Sequence, residues 1–207
     1  LREAILSLEL PPGTVLARHE LVQRFGISQT PIRDALLQLG AQGLVDIYPQ
    51  HATGVSRIDV RAAQQAHFLR RSIELGLVRE LALRRDDAVC ARLQAQIELQ
   101  RRHAEAGDTA AFVAADTEFH HLMYLACEVP ELWQVVHRMS GNVARLRRLH
   151  LPSAGKSETI LRDHAAILRA IRQGDADGAQ QALRTHLSGT LNALDEIVAR
   201  YPDFLLL

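Results

Sequence analysis

Four side chains in the second half of the sequence have the types and spacing to hold a metal ion: Asp116, His120, His164 and His186. Asp116 and His120 lie four residues apart, which on a helix leaves them neighbours on one face, about 5–6 Å apart. His164 stands ten residues before Gly174, and His186 eight residues after Gly178. If the helices flanking that turn fold back antiparallel, the two imidazoles stand about 15 Å and about 12 Å from it, nearly level. Three neutral imidazoles and one carboxylate are an apt donor set for a divalent ion such as Zn²⁺, Ni²⁺ or Mn²⁺. The chain has ten histidines, and any one of them alone is more often an ordinary polar or core residue. His121 is turned about 100° from His120 and falls outside the set. His67, His103, His137 and His150 have no comparable partners.

Such a set with open coordination positions could also activate water for hydrolysis, with Glu118 as base. Glu118, however, is two residues from both Asp116 and His120, on another face of the helix. A third alternative is a purely structural metal that braces the fold.

A second constellation lies near the N-terminus. Two short helical stretches are separated by Gly26-Ile27-Ser28 and followed by a hairpin pattern, the layout of a helix-turn-helix with a wing. The second helix of such a unit fits the major groove of double-stranded DNA. Its first residues here are Ser28, Gln29, Thr30 and Arg33. Gln pairs bidentately with adenine and Arg with guanine, while Ser and Thr donate to phosphate. His19, at the start of the first helix, and His51, at the expected hairpin tip, complete the candidate set. Bulk charge gives no support: Arg2, Arg18, Arg24, Arg33 and Arg57 are balanced by Glu3, Glu9, Glu20, Asp34 and Asp46. One such module binds weakly, so a homodimer reading two half-sites is expected.

The elements that must position these residues divide the chain into a winged helix-turn-helix over residues 1–57 and an antiparallel all-helical bundle over 58–207. The fold class is mainly α. In the first part a helix ends before Leu10-Pro11-Pro12-Gly13, and Thr14-Val15-Leu16 is extended. Helices then run over His19–Phe25, stopped by Gly26, and over Gln29–Gly40, with Ser28 as N-cap and Pro31 in the first turn. Leu44–Tyr48 and Thr53–Ser56 form the hairpin, with Pro49-Gln50-His51-Ala52 between them. The second part reads as six helices, over 59–84, 87–106, 109–127, 130–149, 157–173 and 176–200, with no strand pattern.

The palette suits packed helices: 47% apolar but only 4% aromatic, with a formal net charge of zero. Cys90 and Cys127 lie far apart and read as thiols in a reducing compartment. No run of about 18 apolar residues is present, so no membrane span is expected and a soluble cytoplasmic protein is. The chain opens without Met inside a helical stretch, so the natural protein is expected to begin upstream.

The first 57 residues resemble the GntR family of regulators. The likeness is carried by Leu10-Pro11-Pro12-Gly13-Thr14-Val15-Leu16, by Phe25-Gly26-Ile27-Ser28-Gln29-Thr30-Pro31-Ile32-Arg33-Asp34-Ala35-Leu36, and by Leu39 and Gly43-Leu44-Val45. Two departures bear on the operator sequence: Gln29 stands where the family usually has Arg, and Ala52 where the wing tip is usually Gly.

The remainder is similar to the FCD-type effector domain of the FadR subfamily, in its shorter VanR-like branch. Arg70-Arg71-Ser72-Ile73-Glu74, Asp116, Phe119-His120, Asp163-His164, Gly174-Asp175 and His186-Leu187 carry that likeness. Val129 and Asp163 depart from it, standing for Asn and Glu. The resemblance implies a metal in a central cavity, and its Asp and three His fall on the four residues that the spacing selects. It also implies a small organic acid effector, with Arg70, Arg145 and Arg148 as candidates to hold it. The expected behaviour is repression, released when effector binding moves the bundle and the link near Ser56–Asp59 passes that movement to the winged helices.

Overall fold

The computed structural model describes residues 1–48 and 53–207. In chain order the elements are α1 (Arg2–Leu6), α2 (Arg18–Phe25), α3 (Gln29–Ala41), β1 (Val45–Asp46), β2 (Gly54–Val55), β3 (Ile58–Asp59) and α4 (Val60–Arg84), then α5 (Asp87–Glu105), α6 (Thr109–Ala126), α7 (Pro130–Met139), α8 (Gly141–His150), α9 (Lys156–Gln173), α10 (Ala176–Ser188), α11 (Leu194–Arg200) and β4 (Leu205–Leu206). The described chain forms two compact units that do not divide at residue 57. One comprises Leu1–Ala66 with Arg138–His150 and Ala193–Leu207; the other comprises His67–His137 and Leu151–Asn192.

The first unit is built on the helix-turn-helix. α2 ends at Gly26, whose φ of 63° is the left-handed conformation that a side chain would resist. Ser28 then opens α3 from an extended conformation, although its hydroxyl makes no capping hydrogen bond. Ile32, Leu36 and Leu39 form the buried stripe of α3 and pack with Ile5, Leu16, Leu21, Leu44 and Val55. The wing is shorter than expected: β1 and β2 pair antiparallel over Val45↔Val55 and Asp46↔Gly54, and Val15 makes an isolated antiparallel bridge to Gly54. Pro49, Gln50, His51 and Ala52 lie outside the described residues.

Two strands that the sequence pattern does not suggest also belong to this unit. β3 and β4 pair in parallel, Ile58 with Leu205 and Asp59 with Leu206. The apolar tail thus lies against the segment that precedes α4, and Leu205 is buried.

The second unit is helical throughout its described residues. Asp86, Asp108 and Asp175 accept backbone N–H bonds at the starts of α5, α6 and α10. Gly174, at φ 72°, closes α9, and Asp175 immediately opens α10. That two-residue junction makes the helix hairpin on which His164 and His186 ride. Leu93, Ile97, Phe119, Met123, Ile167, Leu168 and Leu183 lie in its core.

Two expected helices are each divided. The helix expected over 130–149 breaks at Ser140, giving α7 and α8, and α8 belongs to the first unit. The helix expected over 176–200 ends at Ser188, and the chain passes Gly189 and a 3₁₀ turn over Leu191–Ala193 before α11. In both places a single Gly, tolerable inside a helix on sequence grounds, stands at the boundary.

Candidate metal centre and nucleic-acid interface

Each candidate ligand sits within an apolar helical stripe. On α6 the buried face runs Phe112, Ala115, Asp116, Phe119, His120 and Met123; on α9 it runs Ile160, His164, Ile167, Leu168 and Ile171. Polar side chains at such positions are costly unless partnered. Asp116, His120, His164 and His186 each offer a donor atom, and these atoms lie within 4.8 Å of one another. His186 Nε2 is 3.1 Å from His120 Nε2 and 3.2 Å from His164 Nε2. Asp116 Oδ1 is 3.7 Å from His164 Nε2.

The far side of the rings decides what these nitrogens are. His120 Nδ1 donates to Glu74 Oε2 at 2.9 Å, and His164 Nδ1 donates to Gln100 Oε1 at 2.8 Å. A neutral ring that donates from Nδ1 carries its lone pair on Nε2. Two lone pairs therefore face His186 Nε2, which has at most one proton to share between them. Donors about 2.0–2.2 Å from a common ion stand about 3–3.6 Å apart, so the set fits a divalent cation better than it fits mutual hydrogen bonding. Tethering the outer ring nitrogen to a carboxylate or amide is also how ligating histidines are oriented.

Electrostatics agree. Burial pushes the His120 pKa down to about 4 against the pull of Glu74, so the ring is neutral at neutral pH. Burial alone would raise Glu74, but the Arg70 charge and His120 hold it at about 2. Arg70 Nε donates to Glu74 Oε1 at 2.7 Å, and Tyr124 donates its hydroxyl to the same oxygen at 3.4 Å. The His164 ring stacks on Phe119 with centroids 4.0 Å apart, and His186 Nδ1 lies 3.8 Å from Asp163 Oδ2.

The other residues predicted from sequence are distributed as follows. Arg70 is buried beside Glu74, and no hydrogen bond of its terminal nitrogens occurs among the described residues. Arg145 belongs to the other unit and donates to Ser56 O, Arg57 O and Asn142 Oδ1. Arg148 is half-buried near the end of α8. His121 accompanies Glu118, Nδ1 to Oε2 at 3.0 Å, and stacks on Trp133. That placement removes Glu118 as a base for hydrolysis: it is engaged on a different face of α6. Glu74 and Gln100 were not selected as site residues by spacing. Gln100 carried a signal nonetheless, as the polar member of the buried stripe Cys90, Leu93, Ile97, Gln100.

On the first unit Ser28, Gln29, Thr30 and Arg33 are exposed along the first turns of α3, and His19 is exposed at the start of α2. The α3 face opposite its buried stripe is therefore free to enter a groove. His51 lies outside the described residues.

Residues 1–55 match the family of bacterial regulatory proteins called gntR, and residues 65–189 match the FCD domain. An HTH-type transcriptional regulator in an unstable DNA locus of Streptomyces ambofaciens is 33% identical over 203 residues, 98% of this chain and 85% of the relative. The HTH-type transcriptional repressor RspR of Escherichia coli K12 is 27% identical over 204 residues, 99% of this chain and 90% of the relative. In fold, the chain is similar to E. coli McbR/YncC, with a TM-score of 0.79 at 21% identity, covering 94% of this chain and 93% of that one.

The chain belongs to the GntR family of bacterial regulatory proteins and carries an FCD domain. It is a DNA-binding transcriptional regulator and not an enzyme, so the hydrolase alternative falls. Among the described residues no helix is long and apolar enough to cross a membrane.

Proposed function

We propose that this regulator is a homodimeric repressor whose operator affinity is set by a small organic acid bound beside a divalent metal in the FCD domain. Asp116, His120, His164 and His186 hold the ion, with Zn²⁺, Ni²⁺ or Mn²⁺ suited to the donors. A bound ion supplies a Lewis-acidic anchor for a carboxylate oxygen. Arg70 supplies the second anchor: its Nε is committed to Glu74, which leaves the planar pair of terminal nitrogens to take an anion bidentately. Ser28, Gln29, Thr30, Arg33, His19 and His51 contact the operator. The relative in E. coli K12 is named a repressor, which supports release of DNA on effector binding as the sign of the response.

The observation that carries this reading is the pair of Nδ1 tethers that aim the His120 and His164 lone pairs at a common point. Its test is the metal content of the purified chain by mass spectrometry, with His164→Ala and His186→Ala beside the wild type. About one ion per wild-type chain and its loss in both variants is the expected outcome. No metal even after incubation with each of the three ions would end the coordination model.

A further inference from the structure

The short segment Ser56–Asp59, between wing strand β2 and α4, is held by backbone pairing with Leu44 and β4 and by side chains from elsewhere in the first unit. Ser56 donates its N–H to Leu44 O at 3.1 Å and its hydroxyl to Asp46 Oδ1 at 2.8 Å, which ties it to the β1 side of the wing. Its carbonyl accepts from Arg145 Nη1 at 2.6 Å, and Arg57 O accepts from Nη2 at 3.4 Å. The Asp59 N–H donates to Asn142 Oδ1 at 3.1 Å, and that same oxygen accepts from Arg145 Nη2 at 2.7 Å. Asp59 Oδ1 in turn accepts from Ala62 N–H in the first turn of α4.

Arg145 is an expensive way to hold a segment. It is fully buried, and among the described residues it forms no ion pair. Burial pulls its pKa down to about 10, opposed only by the charge of Asp46. Replacing buried charge by apolar side chains of similar volume is often neutral or stabilising, so stability alone does not account for an arginine here. An apolar residue would fill the space but would leave the Ser56 and Arg57 carbonyls without donors. Only a planar fork can meet two successive carbonyls and the Asn142 amide at once.

We infer that Arg145 and Asn142 of α8 are positioning residues for DNA binding: they fix Ser56–Asp59 and thereby the seating of the wing, without touching DNA themselves. Because Ser56 links that segment to Asp46 and Leu44, loosening it frees the wing strands from one side. α8 thus becomes a control point for operator affinity outside the helix-turn-helix.

The test uses the full chain and a duplex that the wild type selects from a random pool. Operator affinity is read by fluorescence anisotropy, and hydrogen exchange of the Ser56–Asp59 amides reports the segment itself. Arg145→Met and Asn142→Ala are expected to weaken operator binding at least five-fold and to quicken exchange at Asp59, while helical content is retained. Asn142→Asp keeps an acceptor for both Asp59 N–H and Arg145, and is expected to bind within two-fold of the wild type. If Arg145→Met does not fold, the two Asn142 variants decide the matter. Faster exchange with unchanged operator affinity overturns the proposal, as does unchanged exchange, or an Asn142→Asp variant as impaired as Asn142→Ala.

Discussion

Glu74 has both carboxylate oxygens engaged, one by Arg70 Nε and one by His120 Nδ1, at a position with no solvent exposure. It does two jobs that a neutral isostere separates. In Glu74→Gln the amide oxygen can still take the His120 proton, but its NH₂ then faces the Arg70 donor and the guanidinium is left as an uncompensated buried charge. The expected loss is about 3–5 kcal/mol of stability, read by urea denaturation of the chelated protein. Metal affinity is expected to fall roughly 10–100-fold, read by competition titration. An unchanged metal affinity would mean that the tether does not orient the ring. The cluster of Asp116, His120, His164 and His186 was legible in the sequence because helical spacing or symmetry about one turn relates these residues. Glu74 and Gln100 reach the same rings from 46 and 64 residues away, on helices whose rotation only packing fixes. The bonds of Arg145 to Ser56, Arg57 and Asn142 were hidden for the same reason: a basic residue on a helical stripe does not announce which neighbour its helix will meet.

At the scale of elements, the sequence located most helix starts because Asp caps and glycine stops are local chemistry. It missed the boundaries made by tertiary contact. Gly141, the first residue of α8, is one: a Cβ built there would lie 2.8 Å from Leu44 Cδ2, and Leu44 has no exposure within its cluster. The strand pair β3–β4 escaped similarly, since two residues are too few to show alternation. Gly141→Ala sets two effects against each other. Alanine gains up to about 0.5–1 kcal/mol in a helix interior, and less at a first position. Overpacking against a confined leucine costs about 1–3 kcal/mol, so the crowding wins. A net destabilisation of about 1 kcal/mol is expected in urea denaturation, largely recovered in Gly141→Ala/Leu44→Val. A stabilised single variant would show that Leu44 yields freely and that the break at Ser140 has another origin.

At the scale of the whole molecule, residues 1–57 carry balanced charge, but the rest of their compact unit adds Arg61, Arg138, Arg145, Arg147, Arg148 and Arg200 against Asp59, Asp195, Glu196 and Asp203, an excess of two positive charges. The DNA-binding unit is therefore more basic than its own stretch of sequence suggests. Regulation demands more than two occupied sites: an effector with equal affinity for the operator-bound and free states shifts nothing, however tightly it binds. Linkage makes that testable. An ion held only by the folded chain stabilises it by about 2.7 kcal/mol at a hundredfold excess over Kd. At about 2–4 °C per kcal/mol for a chain of this size, chelation should lower Tm by about 5–10 °C. If the metal serves sensing, helical content at 25 °C survives chelation, and a carboxylate raises Tm only in the loaded protein. Collapse of helicity on chelation would make the ion structural instead. The decisive comparison is reciprocal: the factor by which a carboxylate weakens operator binding must equal the factor by which operator DNA weakens carboxylate binding. Anisotropy and calorimetry on the same preparation give the two numbers. Matching factors well above one would establish the carboxylate as the regulatory ligand, whereas a carboxylate that raises Tm with both factors near one would make it a bound ligand without a regulatory role.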